Sequence, residues 1–273
     1  MKIPFSFFFL SFFFLFSTLM FGQKEKYRKS SIGFYSEIRS DTTNLNRYTE
    51  DNEIYKAGYR FCYSLEYFDC NGSQRYYTHT GDRRWDFIKK NDSIVVEYCM
   101  KILPGLEAPF LKVKDYAQTI IQYSFWQIDG NEQPVSEKTG LVENKKNVWL
   151  HPPRTDLSSI LELNPFPCIR FPLIIGKMWK GKLIIGDFWG DVRWISWEGQ
   201  ITNNYKYKIS RKCTIDTELG VLKCYIVKSV ATSTLGKTHL TSYFNQQYGF
   251  IRYEYTNIDG SQILINLKKV DVK

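Results

Sequence analysis

Apolar and polar residues alternate with a period of two through most of the chain. From Ile54 to Ile128, and again from Met178 to Lys268, runs of β-branched and aromatic residues are separated by glycine, asparagine or proline turns. A period of two places successive side chains on opposite faces of a strand. The pattern therefore predicts a mainly β protein, built as a curved antiparallel sheet or half-barrel meander with a proline-rich crossover and little helix.

The clearest local unit surrounds the loop Thr217-Glu-Leu-Gly220, which has a β-rich run on each side. Glycine at the end of such a loop adopts a positive φ without strain, so we predict a hairpin. If Asp216 pairs with Val221, the antiparallel register places Cys213 opposite Cys224. Two interpretations remain open at this point: a cross-strand disulfide, or two free thiols that pack as small apolar residues.

Composition divides the chain into five segments. These are a signal peptide at residues 1–22, a polar lead-in with a short helix at 23–53, an N-terminal strand group at 54–130, a loop and crossover at 131–175, and a C-terminal antiparallel meander at 176–273. Residues 131–146 are polar and are predicted to cross the surface. Five prolines between Pro152 and Pro172 exclude a regular helix or a central strand there, apart from one short helical turn that starts at Thr155 or Asp156. Residues 54–273 are predicted to form one domain.

The N-terminal residues predict export. A single lysine, Lys2, precedes an almost purely apolar run that ends at Gly22. Cleavage near Gly22 and retention as an uncleaved membrane anchor are both compatible with this run. No cysteine lies near the junction, so no lipid attachment of the lipobox type is expected. The expected location is periplasmic or extracellular.

The formal net charge is +9, but the basic residues are scattered and interleaved with acids. This distribution indicates a solvated basic surface, with attraction to an anionic envelope component as the alternative. Nucleic acid is not expected as a partner, because an exported protein does not meet it. Membrane association is expected only through an uncleaved signal.

The six cysteines are an even number in a chain with an export signal, which makes disulfides an expectation. Besides Cys213 with Cys224, the sequence offers Cys62 with Cys70, which precede the turn Asn71-Gly72. Reduced thiols are the alternative, because a chain of this length buries a full core without disulfides. No Cys-x-x-Cys motif is present, so we expect no structural zinc.

Several short motifs in the second half of the chain resemble motifs of a known group of proteins. They are Trp149-Leu-His-Pro-Pro-Arg154, Leu163-Asn-Pro-Phe-Pro167, Gly176-Lys-Met-Trp179, the Cys213 to Cys224 hairpin, Tyr248-Gly-Phe-Ile-Arg-Tyr-Glu-Tyr255 and Asp259-Gly-Ser-Gln-Ile263. Together they resemble the tail of exported, uncharacterised β proteins of the Bacteroidetes type. Those proteins are similar to periplasmic half-barrel proteins such as the lipoprotein carriers, in which a curved antiparallel sheet wraps an apolar cavity. The resemblance covers about residues 140–268 and brings no catalytic residue with it.

No nucleophile elbow, metalloprotease motif or dinucleotide fingerprint is present. We therefore expect no cofactor and no metal site, and two hypotheses about function remain. The first is a non-enzymatic envelope module that binds or carries an apolar small molecule, a lipid or another envelope component. The second is an exported hydrolase of glycans or lipids that uses Asp187, Asp191 or Glu198, which requires two carboxyl groups about 5 to 9.5 Å apart.

The binding candidates are Trp189, Trp194, Trp197, His151 and Arg154. In an extended strand from Val192 to Glu198, Trp194 and Trp197 point to opposite faces. One is predicted to fill the core, and the other either offers a platform for a sugar ring or an acyl chain or also serves only to fill the core. His151 and Arg154 lie in the proline-stiffened segment. Arg154 is predicted either to bind a carboxylate or phosphate beside His151, or to pair with Glu143 or Asp156 and brace the crossover.

Overall fold

The computed structural model describes residues 25–272, apart from positions 40, 42, 82–83, 108–109 and 113–115. The predicted signal peptide lies outside these residues. The chain is mainly β, with 57% strand and 6% helix, and its strands form a large, curved and unclosed antiparallel sheet. The predicted fold class is therefore confirmed. Within the described residues no helix has the length and apolar character needed to span a membrane.

Sixteen strands and three short 3-10 helices are present among the described residues. The strands are β1 (Tyr27–Lys29), β2 (Tyr35–Glu37), β3 (Arg60–Phe68), β4 (Gln74–Gly81), β5 (Arg84–Ile88), β6 (Val95–Ile102), β7 (Thr119–Gln127), β8 (Glu132–Asn144), β9 (Asn147–Leu150), β10 (Cys168–Arg170), β11 (Met178–Gly186), β12 (Gln200–Thr217), β13 (Gly220–Ser233), β14 (Gly236–Asn245), β15 (Gly249–Thr256) and β16 (Gln262–Asp271). The 3-10 helices are Phe110–Lys112, Asp156–Leu163 and Asp187–Trp189.

One sheet runs through both halves of the chain. Its strand order is β10-β9-β8-β7-β6-β3-β16-β15-β14-β13-β12-β11, and β4 and β5 form a side branch from β3. The last strand, β16, pairs with β15 on one side and with β3 on the other. Because β16 joins the N-terminal strands to the C-terminal meander, the two groups share one continuous hydrogen-bonded surface.

The predicted hairpin and its register are confirmed. Strand β12 pairs with β13 so that Asp216 faces Val221 and Cys213 faces Cys224. Gly220 has a φ of 97°, a backbone conformation that a residue with a Cβ adopts only with strain. The inward positions of β12 are buried and the outward positions are exposed from Ile201 to Ile209, as the period of two requires.

The prediction that residues 131–146 cross the surface is wrong. They form strand β8, which pairs with β7 on one side and β9 on the other. Their polar composition hid the strand, although Gln133, Thr139, Leu141 and Val142 are buried. The β7–β8 register shifts between Ser124 and Trp126.

The polar lead-in has no helix among its described residues. Instead, it lies against strands from both ends of the sheet. Lys182 of β11 donates its backbone N–H to the Ser31 carbonyl at 2.8 Å, and Arg170 of β10 donates to the Gly33 carbonyl. On the same side, Asn147 Oδ1 accepts the Tyr35 N–H at 2.5 Å. The lead-in therefore connects the two edge regions of the unclosed sheet by polar contacts.

The proline-rich crossover fills the hollow side of the sheet. Its 3-10 helix Asp156–Leu163 begins and ends as predicted, and Leu157, Ile160 and Leu161 are buried in the main core. Inward-facing polar groups of the sheet hold the crossover backbone: Tyr207 Oη donates to the Phe166 carbonyl at 3.1 Å and Asn203 Nδ2 to the Leu163 carbonyl at 2.8 Å. The space that would hold a ligand in an open half-barrel is thus occupied by the chain itself.

The two proposed disulfides are not present, and a third pairing takes their place. Cys62 of β3 is bonded to Cys99, its register partner on the neighbouring strand β6, so Cys62 does not bond Cys70. Cys70, Cys168, Cys213 and Cys224 are free thiols. The sequence could not reveal the Cys62–Cys99 pair, because β3 and β6 are separated by the β4–β5 branch and their pairing is not a local property.

Candidate functional site

A cleft of about 690 Å³ opens between the crossover, the β5 strand and the segment that follows β11. Clefts of a few hundred Å³ are typical of small-molecule sites. We name it the Trp–Arg cleft and define it by the residues of its wall: Trp85, Glu137, Arg154, Asp156, Phe188, Trp189, Arg193 and Trp194. Three of the five binding candidates from the sequence, Arg154, Trp189 and Trp194, therefore meet in one place.

Stacked rings form one side of the cleft. Trp85 of β5 and Trp194 lie nearly parallel, with ring centroids 6.0 Å apart and an interplanar angle of 13°. The Arg193 guanidinium carbon lies 3.5 Å from the Trp85 ring centroid, and Arg193 Nη1 donates to the Trp85 carbonyl at 2.7 Å. Such a cation–π contact restrains both side chains, so this side of the cleft is preorganised.

The predicted strand from Val192 to Glu198 is wrong. Residues 190–197 form a compact turn with a single bridge between Asp191 and Ile195. The Asp191 carboxylate accepts three bonds from Arg193, from its backbone N–H, its Nε and its Nη2. This local side-chain capture competes with strand pairing and bends the segment into a turn.

Arg154 supplies the cation on the opposite side. Its guanidinium carbon lies 5.7 Å from the Trp189 ring centroid, and among the described residues its guanidinium has no hydrogen bond or ion pair to a carboxylate. Neither of the braces considered from the sequence is formed. Glu143 instead accepts the backbone N–H groups of Glu53, Ile54 and Tyr55, and Asp156 contacts His79.

Glu137 of β8 fixes the backbone at Arg154. Its two carboxylate oxygens accept the Arg154 N–H and the Thr155 hydroxyl, each at 2.7 Å. Burial raises the pKa of Glu137 to about 7, although these two hydrogen bonds act in the opposite direction. The adjacent Pro152 and Pro153 are buried and restrict the backbone further. Arg154 is therefore held in position by its backbone while its guanidinium stays available.

Asp156 has the single positive φ of a non-glycine residue among those described, at 53°. Such a conformation is uncommon for a residue with a Cβ. Its carboxylate lies 3.2 Å from His79 Nδ1, and burial raises its pKa while the charge of His79 lowers it. Asp156 and His79 thus join β4 to the start of the 3-10 helix beneath the cleft.

His151 lies outside the Trp–Arg cleft, in a buried contact with Glu162. His151 Nδ1 is 2.7 Å from the Pro152 carbonyl, which can only accept, so Nδ1 carries the proton and Nε2 is an acceptor. Glu162 Oε1 lies 3.4 Å from that Nε2 and has no hydrogen-bond partner among the described residues. Burial raises the pKa of Glu162 to about 8 and lowers that of His151 to about 3, so both groups are neutral near pH 7.

Among the remaining candidates, Trp197, Asp187 and Asp191 have structural partners. Trp197 packs in a small apolar cluster with Leu163, Ile185 and Ile201. Asp187 Oδ2 accepts the Gly199 N–H at 2.8 Å, Asp191 is paired with Arg193, and Glu198 is exposed. Cys62, Glu97 and Cys99 come together at metal-ligand distances, but the two sulfurs are bonded to each other and leave only a carboxylate.

Sequence reasoning missed Trp85, Glu137, Asp156 and His79 as parts of this site. Trp85 carried an ordinary strand signal, and Glu137 lay in a segment interpreted as a surface loop. Residues from β4, β5, β8 and the crossover converge here only because the sheet curves and the crossover enters its hollow side. Local signals were present only for Arg154, in the stiff Pro152-Pro153 segment that precedes it, and for Trp189 and Trp194, in the tryptophan-rich stretch.

No protein-family model and no curated protein sequence matches the chain. Solved structures that are similar to it include the following three. One is an exported protein with a YmcC-like fold from Bacteroides fragilis, with 11% identity over 80% of this chain and 98% of that one at a TM-score of 0.40. Another is a lipoprotein from Parabacteroides distasonis, with 11% identity over 80% and 97% at 0.41. The third is the hypothetical lipoprotein YmcC from Escherichia coli, with 10% identity over 85% and 98% at 0.34.

These names agree with the distant resemblance to exported Bacteroidetes proteins that the sequence indicated. The matched proteins are described as exported proteins or lipoproteins, and their names do not separate periplasm from extracellular space. At these TM-scores the similarity supports no statement about a shared site or activity.

Proposed function

We propose that the protein is an exported, non-enzymatic binding module whose Trp–Arg cleft recognises an anionic ligand with a flat ring face, of which an acidic oligosaccharide is the representative class. The Arg154 guanidinium, unpaired with any described carboxylate and lying over Trp189, is the observation that carries this proposal. A guanidinium binds a carboxylate or phosphate through parallel hydrogen bonds. A ligand that supplies the anion would complete the site.

The aromatic surface supports a ring-shaped ligand. Phe188 is 74% exposed, and its ring centroid lies 4.7 Å from that of Trp189. Large exposed aromatic side chains beside a cleft are typical of contact sites. The hollow side of the sheet is filled by Leu157, Ile160 and Leu161, so a purely apolar ligand has less support than one bound at this outer cleft.

Export is supported by the apolar N-terminal segment and by the disulfide between Cys62 and Cys99, since disulfides persist in oxidising compartments. The hydrolase alternative has less support. Asp191 is held by Arg193, and the oxygens of Glu137 already accept bonds from Arg154 and Thr155. A carboxylate with both oxygens engaged in fixing the backbone is poorly placed to transfer a proton to a substrate.

Titration with tetragalacturonate, followed by intrinsic tryptophan fluorescence, tests the proposal. Its methyl ester is the matched ligand, because it keeps the rings and removes the charges. We expect the acid to bind at least about tenfold more tightly than the ester, and Arg154→Gln to weaken acid binding by about 10- to 100-fold, as expected for loss of a charge-assisted pair. Phe188→Ala should weaken both ligands.

Lys223→Gln removes an equally positive, exposed side chain far along β13 and serves as the control, with unchanged binding expected. Equal affinity of the wild-type protein for the acid and the ester would overturn the proposal. The same holds if Arg154→Gln binds the acid as well as Lys223→Gln does. Release of reducing ends from the oligosaccharide by the wild-type protein would instead support the hydrolase.

A further inference from the structure

The outward face of strands β11 to β14 carries six exposed lysines, which we name the lysine face: Lys180, Lys182, Lys206, Lys208, Lys228 and Lys237. The inward positions between them, such as Trp179, Tyr205, Tyr207 and Ser229, are buried. The alternation of the strands therefore sends all six ammonium groups to the side of the sheet that is opposite to the crossover.

The register places these charges close together. Lys180 pairs with Lys206 across β11 and β12, and Lys208 pairs with Lys228 across β12 and β13. Neighbouring strands lie about 4.8 Å apart, so the four strands span about 14 Å. Like charges directly opposite each other destabilise a sheet. A surface without a binding role would gain stability from an acid at one of each pair of positions.

No acid offsets these charges locally. Residues 178–186, 200–215 and 226–241 contain neither aspartate nor glutamate. Within the part of the chain that the structure describes, none of the six lysines lies within ion-pair distance of a carboxylate, whereas Lys138 and Lys268 pair with Glu107 and Glu97. The scattered basic composition of the whole chain therefore becomes a concentrated positive surface in the folded protein.

Apolar side chains are interleaved with these lysines. Met178 and Ile184 lie on the same outward face of β11 as Lys180 and Lys182, and they are 65% and 60% exposed. Ile174 and Ile175, in the loop before β11, are also exposed. Apolar side chains among lysines suit the boundary between lipid headgroups and acyl chains, where ammonium groups reach phosphates and the stems stay in the apolar layer.

We propose that the lysine face docks the protein peripherally on a bilayer surface rich in anionic phospholipid. Charge complementarity selects a polyanionic partner, and the exposed Met178 and Ile184 favour a bilayer over a hydrated polysaccharide, which offers nothing apolar to bury. This docking is separate from the Trp–Arg cleft and leaves that cleft free to bind ligand. It also does not depend on the N-terminal apolar segment.

Vesicle co-sedimentation of the full chain tests this proposal, with pure phosphatidylcholine vesicles and vesicles containing phosphatidylglycerol at low ionic strength. Binding to neutral vesicles measures any contribution of the N-terminal segment, and the extra binding to anionic vesicles measures the lysine face. The fourfold variant Lys180→Gln, Lys182→Gln, Lys206→Gln and Lys208→Gln should lose the extra binding. Each lysine near such a surface increases the binding constant about fivefold, so the fourfold variant should bind anionic vesicles at least about 100-fold more weakly.

The matched control replaces four exposed lysines elsewhere, at Lys56, Lys89, Lys145 and Lys223, by glutamine and causes the same change in net charge. It should retain most of the extra binding to anionic vesicles, and higher salt should reduce that binding. The double variant Met178→Ser and Ile184→Ser should weaken vesicle binding but not binding to dextran sulfate, a polyanion without an apolar phase.

Three results would overturn the proposal. The first is equal loss in the two fourfold variants, which would make net charge the cause. The second is tight binding of dextran sulfate without extra binding to anionic vesicles, which would assign the face to a polysaccharide. The third is unchanged vesicle binding after removal of the four lysines. Circular dichroism of each variant confirms that the sheet is intact.

Discussion

At the residue scale, burial has a larger effect than nearby charges on the pKa values of His151 and Glu162 in the crossover. His151 donates from Nδ1 to the Pro152 carbonyl, and its Nε2 lies 3.4 Å from the buried Glu162 Oε1, which has no hydrogen-bond partner among the described residues. Burial raises the pKa of Glu162 to about 8 and lowers that of His151 to about 3. The two shifts have opposite consequences for stability against pH.

Stability should therefore decline between pH 6 and pH 8. The unfolded chain releases the Glu162 proton above about pH 4.5, whereas the folded protein retains it until about pH 8. The free energy of unfolding therefore decreases as pH rises through this range. Glu137, with a pKa of about 7, acts in the same direction. His151 stays neutral in the fold, so its effect is a gain in stability as pH rises from about 3 to 6.5.

Urea unfolding at a series of pH values measures this effect. We expect Glu162 to account for up to about 3 kcal/mol of the fall between pH 6 and 8. Glu162→Gln should reduce the fall to the share contributed by Glu137, because glutamine keeps the shape without a titrating proton. Glu198→Gln, at an exposed carboxylate, should leave the profile unchanged. A rise in wild-type stability from pH 6 to 8 would contradict the neutral pair.

At the element scale, the disulfide joins two strands that are distant in sequence. Cys62 of β3 and Cys99 of β6 are separated by 37 residues, which include the whole β4–β5 branch. A covalent link of this length reduces the freedom of the unfolded chain and so stabilises the fold. Cys213 and Cys224 face each other in the predicted register, yet their thiols are free.

The double substitution Cys62→Ser and Cys99→Ser should lower the free energy of unfolding by about 2 to 4 kcal/mol. Reductant should bring the wild-type protein to the level of this variant and should not affect the variant itself. Cys70→Ser, at an exposed free thiol, is the control and should change little. Mass spectrometry that finds six alkylated cysteines without prior reduction would show that the pairing is wrong.

At the scale of the whole molecule, β16 makes the two strand groups one folding unit. It pairs with Leu65 and its neighbours in β3 on one side and with Tyr253 and its neighbours in β15 on the other. Its inward residues Ile263, Ile265 and Leu267 belong to the main core. The crossover adds a second connection, because it packs against inward residues of both groups.

Unfolding should therefore be a single transition. Far-ultraviolet circular dichroism reports the sheet and tryptophan fluorescence reports rings in both halves, so the two curves should coincide. Deletion of residues 262–273 should abolish cooperative unfolding, because it exposes the edges of both β3 and β15 and removes core side chains. Two separate transitions in the wild-type protein would mean that the halves fold independently.

The fold class was accessible from the sequence because it depends on local pattern. The period of two predicted the strands, the glycine at 220 fixed the β12–β13 register, and the prolines limited the crossover to one short helical stretch. Strand β8 escaped detection because most of its residues are polar, and a polar segment between two strands is also typical of a loop. For the candidate site, the sequence offered Arg154, Trp189 and Trp194 but not the residues that surround them.

Apart from strand β8 and the turn at residues 190–197, the sequence by itself determined where the chain is extended, where it turns and which side chains face outward, since each of these follows from neighbouring residues. Only the tertiary structure decided that β3 lies between β6 and β16, that Cys62 bonds Cys99 and that the crossover enters the hollow of the sheet. It also decided that scattered lysines form one face and that Trp85, Glu137 and Arg154 share one cleft. These are contacts between segments far apart in the chain, and they are selected by the packing of the whole core, which no local pattern records.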